Sequence, residues 1–174
     1  MRCFLCIELD DEIKNEIEKI KRDFNIQGIK LVKRENLHIT VKFLGEINEE
    51  TLNKILNLDL SVEELEVNIL KMGVFPNEEY IRVIWIGLDD KLIPIFKEID
   101  EKLGKLGFKK EKSYIPHITI GRVKFISNNN KIKIINNIKK YSNLNLGKMK
   151  IKHITLMKST LTKSGPIYEV IKRW

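Results

Sequence analysis

The chain has three histidines, and each opens the same tripeptide: His38-Ile-Thr40, His117-Ile-Thr119 and His153-Ile-Thr155. An imidazole titrates near pH 6.5 and can serve as base or acid at neutral pH. Two imidazoles on opposite sides of a phosphorus centre permit in-line displacement. One takes the proton of the incoming oxygen and the other protonates the leaving oxygen, each role worth roughly 10²–10⁴ in rate. Threonine hydroxyls can donate to the non-bridging phosphoryl oxygens, where charge builds in the transition state. No metal is required when the leaving group is a ribose hydroxyl in a strained five-membered cyclic phosphate.

Such chemistry needs rigid strands. Side chains alternate faces along a strand, so His38 and Thr40 share one face while Ile39 and Val41 share the other. His117 and Thr119 repeat this against Ile118 and Ile120. The two histidines lie 79 residues apart. The third tripeptide falls late in the second half, without a counterpart in the first, and reads as structural or surface. Arg122 suits a phosphate charge partner, but strict alternation sets it on the face opposite His117; a bulge or bend at Gly121 would re-aim it, or it reaches the site from the strand's edge. Three histidines also suggest a zinc site, yet the tripeptide gives one ligand per strand and no nearby acid completes a set. Metal-free, cofactor-free acid–base chemistry fits better.

The surrounding pattern is α+β. Residues 2–9 form a strand, followed by a helix with Ile13, Ile17, Ile20 and Phe24 at spacings of three and four. The first motif strand covers 37–44. Asn48 caps a helix over 49–58, and strands follow at 63–74 and 82–88. A helix spans 91–106 before the second motif strand at 115–125. Residues 127–130 read as a loop, 131–141 as a helix, 148–157 and 167–173 as strands. Motif strand, helix and two strands recur in both halves. This order predicts a single 1–174 domain of two duplicated lobes, each with a mainly antiparallel sheet and outer helices, and the site in a groove between them.

A 43% hydrophobic fraction supplies a core, and 32% charge excludes neither folding nor solubility. The net charge of +8 suggests a polyanion such as nucleic acid as partner. Cys3 and Cys6 form a C-x-x-C on one apolar strand, pointing to opposite faces. With no second cysteine pair they read as free core thiols in a reducing compartment. No signal peptide and no apolar run of membrane length is evident, so a soluble, cytoplasmic protein is expected.

Taken together, these residues resemble the two-histidine (2H) phosphoesterases, and within them the RNA 2',3'-cyclic phosphodiesterases, also called 2'-5' RNA ligases. The resemblance rests on Cys3–Leu9, Asn36-Leu-His-Ile-Thr-Val-Lys-Phe-Leu-Gly45, Gly73–Pro76, Val83–Gly87, Pro116-His-Ile-Thr-Ile-Gly-Arg122 and Ser159–Tyr168 with its Gly-Pro-x-Tyr. It implies a bilobal α+β fold and hydrolysis of RNA 2',3'-cyclic phosphate ends to 2'-phosphomonoesters. By the family pattern His38 is the proton donor, His117 the proton acceptor, and Thr40, Thr119 and Arg122 bind the phosphate. No metal or cofactor is implied. The partner would be an RNA with a cyclic phosphate end, tRNA halves among the candidates, acting on a monomer without a membrane. Run backward with a 5'-hydroxyl as nucleophile, the chemistry joins RNA ends through a 2'-5' bond. Alternatives are a 2'-5' oligonucleotide or nucleotide cyclic phosphodiesterase, and a non-catalytic RNA-end-binding module. One departure concerns the aromatic that relatives carry before the first motif. Here Lys30-Leu31-Val32-Lys33 stands instead, leaving Phe4 or Phe75 to stack on a base.

Overall fold

The computed structural model describes all 174 residues. Nine strands, β1 (Arg2–Glu8), β2 (Ile29–Leu31), β3 (His38–Glu46), β4 (Leu65–Pro76), β5 (Ile81–Leu88), β6 (His117–Val123), β7 (Asn145–Ile151), β8 (Thr155–Thr162) and β9 (Gly165–Arg173), form one antiparallel sheet. Four α-helices accompany it: α1 (Asp11–Lys21), α2 (Glu49–Leu56), α3 (Ile93–Gly104) and α4 (Asn128–Lys140). The strand order is β7-β4-β5-β6-β3-β1-β8-β9, with β2 pairing β6.

The two motif strands β3 and β6 meet at the centre of this order. Each lobe mixes strands from both halves of the sequence. β4, which follows the first motif, pairs with β7 from the second half; β8, which follows the second motif, pairs with β1 from the first. The lobes are therefore halves of one continuous sheet.

Helices α1, α2 and α3 bury apolar positions that the spacing predicts; on α4 the spacing points to Ile132, Ile135 and Ile138, but Ile134 is the buried residue and Ile132 is 55% exposed. Ile13, Ile17 and Ile20 of α1, Ile55 of α2, Phe96, Ile99 and Leu103 of α3 and Ile134 of α4 are buried in one cluster. Ile39 and Val41 of β3 and Ile118 and Ile120 of β6 join the same cluster. The motif strands thus press their isoleucines against the core and turn His/Thr to the other face.

Two expectations are corrected. Residues 148–157 are not one strand: β7 ends at Ile151 and β8 begins at Thr155. Between them the chain crosses from β4's flank to β1's, so the alternation breaks. His153 lies exposed in that crossing while Ile151 and Ile154 are both buried. Residues 127–130 are not a loop. The Ser127 hydroxyl accepts from the Asn130 amide, so Asn128–Asn130 form the first turn of α4.

Candidate active site

β3 and β6 touch at a single ladder position, Ile39 opposite Ile118. In an antiparallel pair this sets position 38 beside 119 and position 40 beside 117. Each histidine therefore neighbours the other motif's threonine across a local twofold.

Both imidazoles are oriented in the same way. Nδ1 of His38 lies 2.6 Å from the Asn36 carbonyl, and Nδ1 of His117 lies 2.7 Å from the Ile115 carbonyl. A carbonyl only accepts, so each Nδ1 carries the proton and each Nε2 is left for chemistry. Nε2 of His38 accepts from the Thr40 hydroxyl at 2.9 Å. Each acceptor sits two residues before its histidine, at the entry to the strand. Asn36 ends a short 3-10 turn and is fastened by its side-chain amide to the Pro166 carbonyl at 3.0 Å. Pro116 holds the other entry extended.

Aromatic rings wall in both imidazoles. His38 packs against Phe4 (5.0 Å between centroids) and the edge of Tyr168 (5.5 Å); His117 packs against Phe75 (4.9 Å) and Trp85 (6.4 Å). Burial pushes the His38 pKa down to about 4, with the Asn36 carbonyl opposing and the charges of Arg122, His117 and Lys14 adding to the fall. Burial also lowers that of His117, against the Ile115 carbonyl and with Arg122. Arg122 thus acts electrostatically on both rings.

Arg122 reaches them through a bulge. Trp85 of β5 faces Thr119 and Ile84 faces Gly121, so Ile120 is an extra residue on β6. The phase shifts, and Arg122 emerges exposed on the His117 face. The bulge that alternation demanded is present, at Ile120 rather than at Gly121. A β-carbon at Gly121 would meet the Ile29 side chain at 3.0 Å.

β3 carries the same irregularity at the same offset. Cys6 faces Thr40 and Leu5 faces Lys42, leaving Val41 extra. Beyond it Lys42 turns inward, 5% exposed, and Phe43 turns outward. Phe43 stands five residues after His38 as Arg122 stands five after His117.

The family model for LigT-like phosphoesterases matches residues 7–85 and 87–168, one stretch for each motif. The chain belongs to the LigT-like phosphoesterase family. It is 58% identical to an RNA 2',3'-cyclic phosphodiesterase of Methanocaldococcus jannaschii, covering 100% of both chains. It is 35% identical to one of Methanothermobacter thermautotrophicus, covering 97% of this chain and 95% of that one. Solved structures share the fold. A Thermus thermophilus protein superposes with a TM-score of 0.85 at 23% identity, over 100% of this chain and 97% of that one. Escherichia coli LigT complexed with 3'-AMP superposes with a TM-score of 0.78 at 23% identity, over 99% and 96%.

In this LigT-like phosphoesterase the open space is not symmetric. A cleft of about 560 Å³ is lined by His38, Thr40, Thr119 and Arg122, but not by His117. Its cations are Arg2, Lys30, Lys33, Arg122 and Lys124, and no carboxylate lines it. The β8–β9 hairpin closes one side with Ser159, Leu161 and Tyr168. No group of three or more His, Cys, Asp or Glu side chains is arranged to hold a metal. Cys3 and Cys6 are free and buried, and burial pushes the Cys6 thiol up to about 12. No helix is long and apolar enough to cross a membrane.

Sequence reasoning passed over Tyr168, Trp85 and Phe43. Of the two aromatics it offered for stacking, Phe4 is 4% exposed and Phe75 packs on His117 outside the cleft lining. The usable signal was the common five-residue offset of Phe43 and Arg122.

Proposed function

We propose that residues 1–174 act as one unit to open RNA 2',3'-cyclic phosphate ends, giving a 2'-phosphomonoester. The phosphate sits between the two Nε2 atoms. Thr40, Thr119 and Arg122 neutralise its non-bridging oxygens. His117 removes a proton from water as the water oxygen bonds to phosphorus. The P–O3' bond breaks, and the 3'-oxygen takes a proton from Nε2 of the His38 imidazolium. The phosphodiester anion favours that charged form on binding.

One observation carries this division of labour: the cleft opens beside His38 and not beside His117. In an in-line displacement the ribose lies on the leaving-group side and the nucleophile arrives opposite. A cleft sized for a nucleotide that is lined by His38 supports the acid role for His38, with the water arriving on the His117 side. The cationic, carboxylate-free lining favours a nucleic-acid chain, and the relatives named RNA 2',3'-cyclic phosphodiesterase support that substrate. tRNA halves ending in a cyclic phosphate belong to this class. Reversal with an RNA 5'-hydroxyl as nucleophile would form a 2'-5' bond by the same proton transfers.

The test is incubation of an RNA bearing a 2',3'-cyclic phosphate with the protein in excess chelator. Release of a 2'-phosphomonoester end is expected. A 3'-phosphate product, or activity that chelator abolishes and zinc restores, overturns the mechanism. Salt-dependent RNA binding without ring opening would favour the binding module instead.

A further inference from the structure

Resting on that reading, we infer that the RNA leaves the cleft along the β2–β6 ladder and that Phe125, past its outer end, carries the base of an upstream nucleotide. Four of the five cations that line the cleft border this ladder. Lys30 lies opposite Arg122, Lys33 stands just past β2, and Lys124 stands just past β6. The fifth, Arg2, lies opposite Glu46 at the far end of β3, where the carboxylate opposes a phosphate. The phosphates of a chain held by its 3' end therefore follow β2 and β6 away from the reacting group.

Phe125 comes next in that direction. Three residues of chain carry it at most about 11 Å past Arg122, the rise of about three stacked nucleotides at ~3.4 Å each. Its ring is 90% exposed, yet its backbone is held from both sides. The Lys124 amide donates to the Gly28 carbonyl at 3.1 Å, a side chain at Gly28 would run into the Phe125 carbonyl, and Ile126 packs against the core. With so little of it buried, the ring adds little hydrophobic stability. Beside a row of cations, it is a fixed face on which a base can stack.

The other exposed aromatic at this rim is Tyr80, at the entry to β5, the strand whose Val83 lies opposite Arg122. Its ring already carries the Arg82 guanidinium at 5.6 Å, and Glu78 and Glu79 precede it. That acidic loop turns phosphates toward Phe125. Stacking is indifferent to base identity, since every base has a π-face. The surface accordingly selects an unpaired strand of sufficient length, not a sequence.

The test compares a nucleoside 2',3'-cyclic phosphate with a series of longer RNAs bearing the same end. For the wild-type protein, KM should fall as the RNA grows to about four nucleotides and then level off. Phe125→Ala should raise KM about tenfold on a six-nucleotide RNA, within the range of roughly 5- to 150-fold expected for one stacked base. It should leave KM for the nucleoside cyclic phosphate unchanged. Phe125→Trp should restore the length dependence, and Tyr80→Ala should keep it. A Phe125→Ala variant that keeps wild-type KM on the longer RNA, or that loses equally on both substrates, overturns the inference. So does a loss at Tyr80 as large as at Phe125. A second readout needs no turnover and so stands apart from the proposed reaction. Fluorescence anisotropy of a labelled six-nucleotide RNA ending in a 2'-phosphate should show about tenfold weaker binding to Phe125→Ala. Equal binding overturns the path even if ring opening is confirmed. Weaker binding without ring opening would retain the path and remove the reaction.

Discussion

Ile39 of β3 lies directly across from Ile118 of β6, and both are fully buried. This one cross-strand pair is the pivot of the site. It fixes the diagonal relation of His38 to His117, and it anchors both motif strands in the core that the helices share.

Because the two imidazoles serve one displacement, their losses should not add. His38→Ala and His117→Ala are each expected to lower kcat by roughly 10²–10⁴. The double variant should fall little further than the worse single one, as for residues acting as a unit. His153→Ala, in the exposed crossing, should keep most activity. A loss at His153 as large as at His38, in a variant that still melts like the wild type, would break the assignment of the pair.

Arg122 should matter through its guanidinium. Arg122→Ala is expected to lower kcat/KM by about 10²–10³, the scale of losing one donor to a developing oxyanion. Arg122→Lys keeps the charge but loses the planar fork and should fall between. The side chain is exposed, so thermal stability should hardly change. Wild-type kcat/KM in Arg122→Ala would place the guanidinium outside the reaction.

Much of this was legible because alternation and helical spacing are local. The faces of His38 and Thr40, the cap at Asn48, and the apolar stripes of α1 and α3 all follow from neighbouring residues. A bulge is different. Val41 and Ile120 look like ordinary strand residues, and only the partner strand's register reveals the extra one. For that reason alternation misplaced Arg122, gave no hint of Phe43, and left Lys42 looking like a surface lysine. The crossing at 152–154 was hidden too, because Ile151 and Ile154 are buried in parts of the sheet that the sequence does not relate. The bias of the cleft toward His38 depends on the β8–β9 hairpin, whose place beside β1 is a long-range pairing.

The pH profile follows from burial. Both imidazoles titrate below the ordinary histidine value, His38 near 4 and His117 also lowered. The profile of kcat/KM reports the free enzyme, and the two apparent constants belong to the pair. A bell peaks midway between its limbs, whichever histidine is acid. With both limbs below about 6.5, the ordinary histidine value, the optimum must lie on the acid side of it. Raising the pH from there strips the acid of its proton, so kcat/KM should fall steadily toward about pH 8. An optimum on the alkaline side of neutrality would show that the free site does not hold its imidazoles neutral.

The last prediction concerns a residue that touches no substrate. Lys42, turned inward by the Val41 bulge, lies 2.5 Å from Oδ1 of Asp100 on α3, with both side chains almost fully buried. It also donates to the Lys109 carbonyl. Burial alone would raise the Asp100 carboxyl, but hydrogen bonds from Lys42, Tyr114 and the Glu111 amide hold it below the ordinary value. The segment so gathered, Lys109–Tyr114, leads directly into Ile115, whose carbonyl orients His117. The first motif strand thus braces the second histidine from behind. Lys42→Ala leaves a buried carboxylate uncompensated and should cost about 3–5 kcal/mol in denaturant unfolding. Its kcat, measured where the variant is still folded, should fall as the His117 entry loosens. Lys42→Ala combined with Asp100→Ala should cost less than the two single losses together, because the second change removes the stranded charge. Additivity within about 0.5 kcal/mol would mean that the two residues are not coupled, and an unchanged kcat in folded Lys42→Ala would mean that the brace does not reach His117.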